Sequence, residues 1–351
     1  MKKVTMTMIA EACNTSIGTV DRAINNRAEI NPETKNYILE TARKMGYKLP
    51  SAKKEKNKLC LAFISPSKPE GFYSCIDMGM EKAKGELADS GITIERLNFD
   101  AQNPASQLDL LAGLDIKKYD GVALNPLSVA CTEYIDRFSA AGVPVVTFNN
   151  DLPNSTRLFY VGINSMQSAR MAADVMATLL GGKGGVAVLG NFGQTMPFFE
   201  RFGGFCQVLQ QDYPEINIYS TADCRLDPEV TEKNIYNLME KTPDIRGIFC
   251  TGYSSTIDTI RAMKKFGRKD MVVVGYDVGD ETVDAIRNGW CKALLYQDPF
   301  QQGYQSVHLL ARHLTEGWMP SHSLLIIEPR LVFRQNIDNY VGGVMQWDLR
   351  T

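Results

Sequence analysis

The sequence predicts an α/β protein of two doubly wound parallel-sheet lobes, preceded by a small all-α helix-turn-helix domain. Three observations lead there: three short helical patterns in a basic N-terminal segment, apolar runs alternating with amphipathic stretches from residue 59 onward, and a charge balance that changes sign between the two. The 351 residues are 44% hydrophobic and 22% charged with a formal net charge of −2, which excludes disordered, collagen-like and polytopic membrane classes. Residues 1–58 carry 12 of the 38 Lys/Arg and 6 of the 40 Asp/Glu, a balance of +6, and the remainder is −8. A basic head on an acidic body is the division expected when one segment meets a polyanion and the rest does not. Eight scattered cysteines without metal-ligand or C-x-x-C spacing predict neither a disulfide framework nor a zinc site, and suit a reducing cytoplasm.

The first twelve residues imitate an export signal, with Lys2-Lys3, an apolar stretch from Val4 to Ala10 and Ala10-Glu11-Ala12. The stretch is short and interrupted by Thr5 and Thr7, so retention in the cytoplasm is expected. Thr5 can instead cap a helix running to about Cys13, with Ile9, Ala10 and Cys13 on one face. After a turn at Asn14-Thr15, Ser16 can cap a second helix through about Asn25, with Val20, Ala23 and Ile24 inward. A third helix is signalled by Asn31 as cap, Pro32 at its first position, Ile38, Ala42 and Met45 as its stripe and Gly46 as its stop. Three short helices in under fifty basic residues form a helix-turn-helix pattern. Arg22 can bond guanine O6 and N7 together, and Gly18, costly inside a helix by ~1 kcal/mol, asks for a close approach of the backbone to something outside.

The stretches V-T at 4–5, I-A-E-A at 9–12, T-S-I-G-T-V-D-R-A-I-N at 15–25, I-N-P-E-T-K at 30–35 and M-G-Y at 45–47 resemble the lactose-repressor (LacI/GalR) family of transcription factors. The resemblance implies a second helix in the major groove with Ile17, Gly18 and Arg22 toward base edges. It places Thr5, Ser16, Thr19, Asn25, Asn31, Thr34 and Tyr47 at phosphates. Asp21 departs from the family's small hydroxyl residue; beside the DNA it must pair with Arg22 or accept from a cytosine amine. Residues 1–48 are thus the expected DNA-binding domain and 49–58 a basic linker. The connector K-L-P-S-A-K-K-E-K-N-K at 48–58 lacks the family's hinge helix and its wedging leucine, so little central bending of the duplex is expected.

The body, residues 59–335, alternates apolar runs (59–65, 92–98, 121–125, 143–148, 185–190, 216–220, 247–251, 271–276) with amphipathic stretches (78–90, 130–141, 167–180, 198–211, 229–240, 255–266). This alternation predicts parallel sheets covered on both faces. Eight units and a break near Tyr160–Asn164 divide them into lobe one, about 59–162 plus 292–321, and lobe two, about 163–291 plus 322–335, with a tail at 336–351. Strands near 292–297 and 324–333 are expected to tie the lobes together. D-G-V-A-L-N-P at 120–126, A-G-V-P-V-V-T-F at 141–148, E-R-F-G-G-F at 200–205 and V-V-V-G-Y-D at 272–277 resemble the periplasmic sugar-binding proteins of the ribose and galactose type, which the LacI/GalR body also resembles.

Ligands of open α/β sheets bind beyond the C-terminal ends of the strands. There the sequence offers Ser65, Phe72, Tyr73, Asn125, Asn149, Asn150, Tyr253, Asp277 and Gln297, with Phe199 at the start of a lobe-two helix. Aromatic faces, amides and one carboxylate suit a small neutral sugar or polyol. By the resemblance, Asp277 and Gln297 match ligand positions, whereas Asn149-Asn150 replaces Asp-Arg and Phe199 replaces arginine, which argues against ribose itself and against a strongly anionic ligand. Glycine-rich G-G-K-G-G at 181–185 and G-N-F-G-Q-T at 190–195 lack phosphate-loop context, and no nucleophile elbow or H-E-x-x-H is present. The expectation is a non-enzymatic regulator without cofactor or metal, binding pseudo-palindromic operator DNA as a homodimer and sensing a sugar. An exported sugar-binding protein of a transporter is the alternative; it accounts for the body but leaves residues 14–50 without a purpose.

Overall fold

The computed structural model describes residues 4–24, 30–47, 58–67, 71–101, 103–190, 196–223, 227–242 and 244–343. The chain forms two compact units, Met1–Lys58 and Leu59–Thr351. In the first, Thr5 closes the start of α1 (Met6–Ala12), its hydroxyl accepting from the Met8 amide at 3.4 Å. Asn14, at φ 50°, turns the chain toward α2 (Ile17–Ile24), where Ser16 Oγ accepts from the Thr19 amide at 3.1 Å. α3 (Pro32–Lys44) starts at the proline whose fixed φ suits a first helical turn. Ile9, Ala10, Val20, Ala23, Ile24, Ile38 and Ala42 make its core, so the apolar stretch that imitates an export signal supplies buried side chains here. A core of seven residues is small for an independent unit. The second helix is described through Ile24; Asn25, its expected last residue, and connector residues 48–57 lie outside the described residues.

The larger unit holds two six-stranded sheets. The first contains β1 (Leu59–Pro66), β2 (Ile92–Phe99), β3 (Gly121–Leu124), β4 (Val145–Phe148), β5 (Phe159–Gly162) and β11 (Leu324–Ile326), in the order β2-β1-β3-β4-β5-β11. The second contains β6 (Gly184–Gly190), β7 (Ile216–Asp223), β8 (Ile245–Cys250), β9 (Val272–Tyr276), β10 (Ala293–Tyr296) and β12 (Arg330–Val332), in the order β7-β6-β8-β9-β10-β12. All pairings are parallel except β10 with β12. Helices α4 (Phe72–Ala88), α5 (Pro104–Gly113), α6 (Cys131–Ala140) and α12 (Pro299–Glu316) pack on the first sheet. The second carries α7 (Ser165–Leu180), α8 (Met196–Asp212), α9 (Pro228–Lys241), α10 (Tyr253–Phe266) and α11 (Asp280–Arg287).

The two-residue period of β1 shows how each sheet is sandwiched. Leu61 and Phe63 join a core with Ile76 and Met80 of α4 and Val307 of α12, while Ala62 and Ile64 face Leu111 of α5 and Ile135 and Phe138 of α6. A strand apolar on both faces reads as a continuous hydrophobic run, which is why the central strands were legible.

The expected lobe boundaries need correction. The run at 292–297, expected in lobe one, forms β10, which pairs with β9 in the second sheet, and the chain returns to lobe one only with α12. The 324–333 segment is two strands: β11 extends the first sheet beside β5, and β12 closes the edge of the second. The break near Tyr160 is itself strand β5, too short at four residues to show as a run. The expected tail also begins inside the fold, since Ile337 and Tyr340 are buried in the second lobe and the Tyr340 ring stands 4.8 Å from that of Tyr296.

Candidate ligand-binding cleft

The C-terminal ends of the strands bring side chains of the two lobes together. On the first lobe, Ser65 ends β1 fully buried, and its Oγ has no partner among the described residues. Asn125 follows β3; its Oδ1 accepts from Asn150 Nδ2 at 2.8 Å and Asn149 Nδ2 at 3.5 Å. Its carbonyl is held by the buried Gln107 at 2.8 Å, whose Oε1 in turn accepts from the Leu127 amide. Asn149 takes φ 61°, a conformation asparagine tolerates, at the turn out of β4. Asp151, next in the chain, is engaged by Arg157 and the Thr147 hydroxyl and serves the loop instead. Phe72 is buried at the start of α4 and its ring meets that of Tyr73 edge-on at 5.4 Å.

The second lobe contributes Tyr253, Asp277 and Gln297. Asp277 is buried at φ 64°, and both its oxygens accept from Gln297: Oδ2 from the amide Nε2 at 2.6 Å and Oδ1 from the backbone N at 3.3 Å. Burial pushes its carboxyl up to about 7, against the lowering effects of Gln297 and Arg201. Tyr253 spans the lobes. A Cβ on Gly71, ahead of α4, would run into its ring, and one on Gly279, after β9, would run into its hydroxyl. The Tyr73 hydroxyl of lobe one is buried near Asn125 and the charges of Arg201 and Asp277; burial, the largest influence, pushes it up to about 12.

Phe199 sits on the first turn of α8 and is 53% exposed. Two positions on, Arg201, a residue that the strand-end reading of the sequence does not reach, is 5% exposed. Its Nη1 donates to the Thr251 carbonyl at 2.7 Å and Nη2 to Gln297 Oε1 at 2.6 Å, and the guanidinium lies 4.0 Å over the Tyr276 ring. Its Nε, like Thr251 Oγ1, has no partner among the described residues. Buried polar groups are normally paired, so orphaned atoms of Ser65 and Thr251 at strand ends and of Arg201 on α8 mark a place for a hydrogen-bonding guest. Hydroxyl groups both donate and accept, and suit such walls. Among the described residues, no cluster of His, Cys, Asp and Glu could hold a metal ion, and no helix is long and apolar enough to cross a membrane.

Two α/β lobes with an orphan-lined polar cleft between them define a small-molecule receptor. The chain belongs to the periplasmic binding protein domain family, whose model matches residues 61–317. It is 22% identical to the ribose import binding protein RbsB of Salmonella typhimurium over 250 residues, 71% of this chain and 82% of that protein. It is equally 22% identical to the ribose operon repressor of Halalkalibacterium halodurans over 283 residues, 77% of this chain and 78% of the repressor. In three dimensions it resembles an ABC-transporter solute-binding protein of Burkholderia graminis solved with D-arabinose, at a TM-score of 0.75 and 20% identity, covering 82% of this chain and 99% of the other. These relatives are binding proteins and a repressor, not enzymes.

Proposed function

We propose that the chain is a sequence-specific DNA-binding regulator, a repressor, whose operator affinity is set by a small sugar or polyol in the interlobe cleft. The observation that carries this reading is the separate three-helix unit ahead of the receptor domain: α2 turns Val20, Ala23 and Ile24 into the core and leaves Ser16, Ile17 and Gly18 exposed at its start. Ile17 is half exposed, as a side chain for a thymine methyl would be. Gly18 has no neighbour closer than 3.8 Å to a Cβ, so nothing inside the protein requires glycine there; a DNA surface would. Arg22 folds along the helix, its Nε donating to the Gly18 carbonyl at 3.2 Å, and must extend to reach a guanine. Thr5, Ser16, Thr19, Asn25, Asn31, Thr34 and Tyr47 serve the phosphates in this reading, with Asp21 beside Arg22.

A homodimer would place two such units on a pseudo-palindrome, in the cytoplasm. Ligand alters DNA affinity only insofar as it binds one lobe arrangement better than the other. A second reading, the solute receptor of a transporter, is favoured by the similarity to RbsB but gives the three helices no task. The test is binding of the full chain to palindromic sequences upstream of neighbouring sugar-use genes. Affinity should fall steeply with salt and respond to one sugar of a panel. Arg22→Ala should cost ~1–3 kcal/mol and relax preference at one base pair; unchanged affinity and preference would sink the proposed base contact. Natural protein whose intact mass lacks the first twelve residues would favour the transporter reading.

A further inference from the structure

The turn that carries Asn149 and Asn150 differs from the other strand ends in what stands behind it. Tyr160, buried on β5, turns its hydroxyl to two backbone carbonyls at once, Asn149 at 3.1 Å and Ile163 at 3.2 Å. Asn149 follows β4 in lobe one, whereas Ile163 lies on the crossover from β5 to α7 and its side chain already belongs to the lobe-two core. The phenol reaches both by folding forward along its own strand. Residues 160 and 162 share a face, and a Cβ on Gly162 would stand 2.0 Å from the hydroxyl, so the glycine leaves the room that the ring uses. Burial raises the Tyr160 pKa above its ordinary value, and the proton stays on the oxygen. A phenol has one proton to give, so whatever draws one carbonyl away hands the bond to the other.

A second link runs the same way. Arg157 grips Asp151, at the end of the turn, with Nη2 donating to Oδ2 at 2.6 Å, while its Nη1 donates to the Ser323 carbonyl at 3.2 Å. That carbonyl also accepts from the Tyr160 amide at 2.9 Å, and Ser323 leads into β11, from which the chain crosses to β12 of lobe two. The loop at Asn125, by contrast, is held by Gln107 of α5, wholly within lobe one.

We infer that Tyr160 is a positioning residue that couples the cleft to the interlobe crossover, its shared hydroxyl tying the setting of the Asn149–Asn150 turn to the arrangement of the two lobes. This coupling rests on the cleft being the ligand site, and gives movement of the lobes a route to the amides offered there. A ligand that pulls on the turn acts through Tyr160 on the crossover, and displacement of the crossover acts back on the turn, as linkage requires.

The experiment is amide hydrogen exchange of the full chain without ligand, read by mass spectrometry and compared with Tyr160→Phe, which keeps the ring and loses the hydroxyl. Exchange should quicken about five- to tenfold in both the 149–151 turn and the 163–165 crossover, as loss of one hydrogen bond implies, while residues 123–127 keep their rates. Unchanged exchange in either segment, or equal quickening in all three, overturns the inference. Should Tyr160→Phe fail to fold, the turn and the crossover of the unsubstituted chain must open with one free energy in graded urea, and two different values overturn it too. Calorimetry with D-ribose, D-arabinose and other monosaccharides as probes reads the cleft separately. A sugar that binds should slow exchange of both segments in the unsubstituted chain and of the turn alone in Tyr160→Phe; equal slowing of the crossover in both proteins overturns the coupling. Absence of heat across the panel rejects the ligand-site reading, while the exchange without ligand stands by itself.

Discussion

The two lobes carry sheets of the same strand order and line one cleft with different chemistry. Lobe one presents a neutral wall, in which Asn125 gathers the amides of Asn149 and Asn150 and is held from within by Gln107. Lobe two presents a charged one, Arg201 to Gln297 to Asp277, with the Gln297 carbonyl held by Gln302 of α12, the helix that leads back to lobe one. Each strand-end loop is thus clamped by a buried glutamine bonding a backbone carbonyl, while the groups that would meet a ligand differ in charge. The fold supplies positions, and the side chains decide how strongly each position can bind. Hydrogen bonds to charged groups contribute ~1.5–3 kcal/mol against ~0.5–1.5 for neutral pairs, so lobe two should dominate affinity.

The largest effect should follow from Asp277→Asn. Sugar affinity measured by calorimetry is expected to fall about 100-fold, on the order of the upper figure for a charged acceptor. Stability should move the other way. The folded carboxyl titrates at about 7, above its unfolded value near 4, so the native state holds the proton more tightly and loses stability as pH rises through that window. Asp277→Asn should therefore raise the melting temperature by several degrees at pH 8, with the gain shrinking toward pH 4. In the unsubstituted protein, affinity should climb between pH 6 and 8 as the carboxylate ionises. A substitution that weakens binding without stabilising the alkaline form would remove the contrast between the walls.

Asn125→Ala tests the neutral wall. It leaves the Asn150 amide without its 2.8 Å acceptor, and the expected loss is about tenfold in affinity with ~1–3 kcal/mol of stability. Denaturant unfolding and calorimetry on the same sample separate the two. A loss equal to that of Asp277→Asn would mean the lobes contribute alike.

How much of this contrast was legible in the sequence depends on the element. Asp277, Gln297, Asn125, Asn149 and Asn150 follow strands whose apolar runs announce where they end, so the strand-end rule reaches them directly. Arg201 escaped because it lies inside a helix, where the position along the chain says little about which side faces the cleft. Phe199 and Arg201 are two residues apart, about 200° around a helix, so the exposed aromatic and the buried arginine occupy nearly opposite faces of α8. A buried arginine in E-R-F-G-G-F was a usable signal, since burial of a charge requires partners. Helix α5, opened by Pro104, and α11, polar over most of its eight residues, had no stripe long enough to stand out, and β5 had only four residues. The three N-terminal helices were read through their caps, Thr5, Ser16 and Pro32, which are local signals and survive without tertiary information.

The smallest effect concerns the place where the walls touch. Gly71 of lobe one holds φ 70° and ψ −133°, a region nearly closed to other residues, and its open side is filled by Tyr253 of lobe two. Gly71→Ala should cost ~1–3 kcal/mol through backbone strain, and the displaced ring should weaken ligand binding by a few-fold, without touching Asp277 or Asn125. The two contributions separate in a double-mutant cycle. In a Tyr253→Ala background the strain on the backbone remains and the collision is gone, so Gly71→Ala should still lower stability but no longer change affinity. If affinity falls equally with and without the tyrosine ring, Tyr253 is a side chain of lobe two alone, and the contact between the walls has no share in holding a ligand.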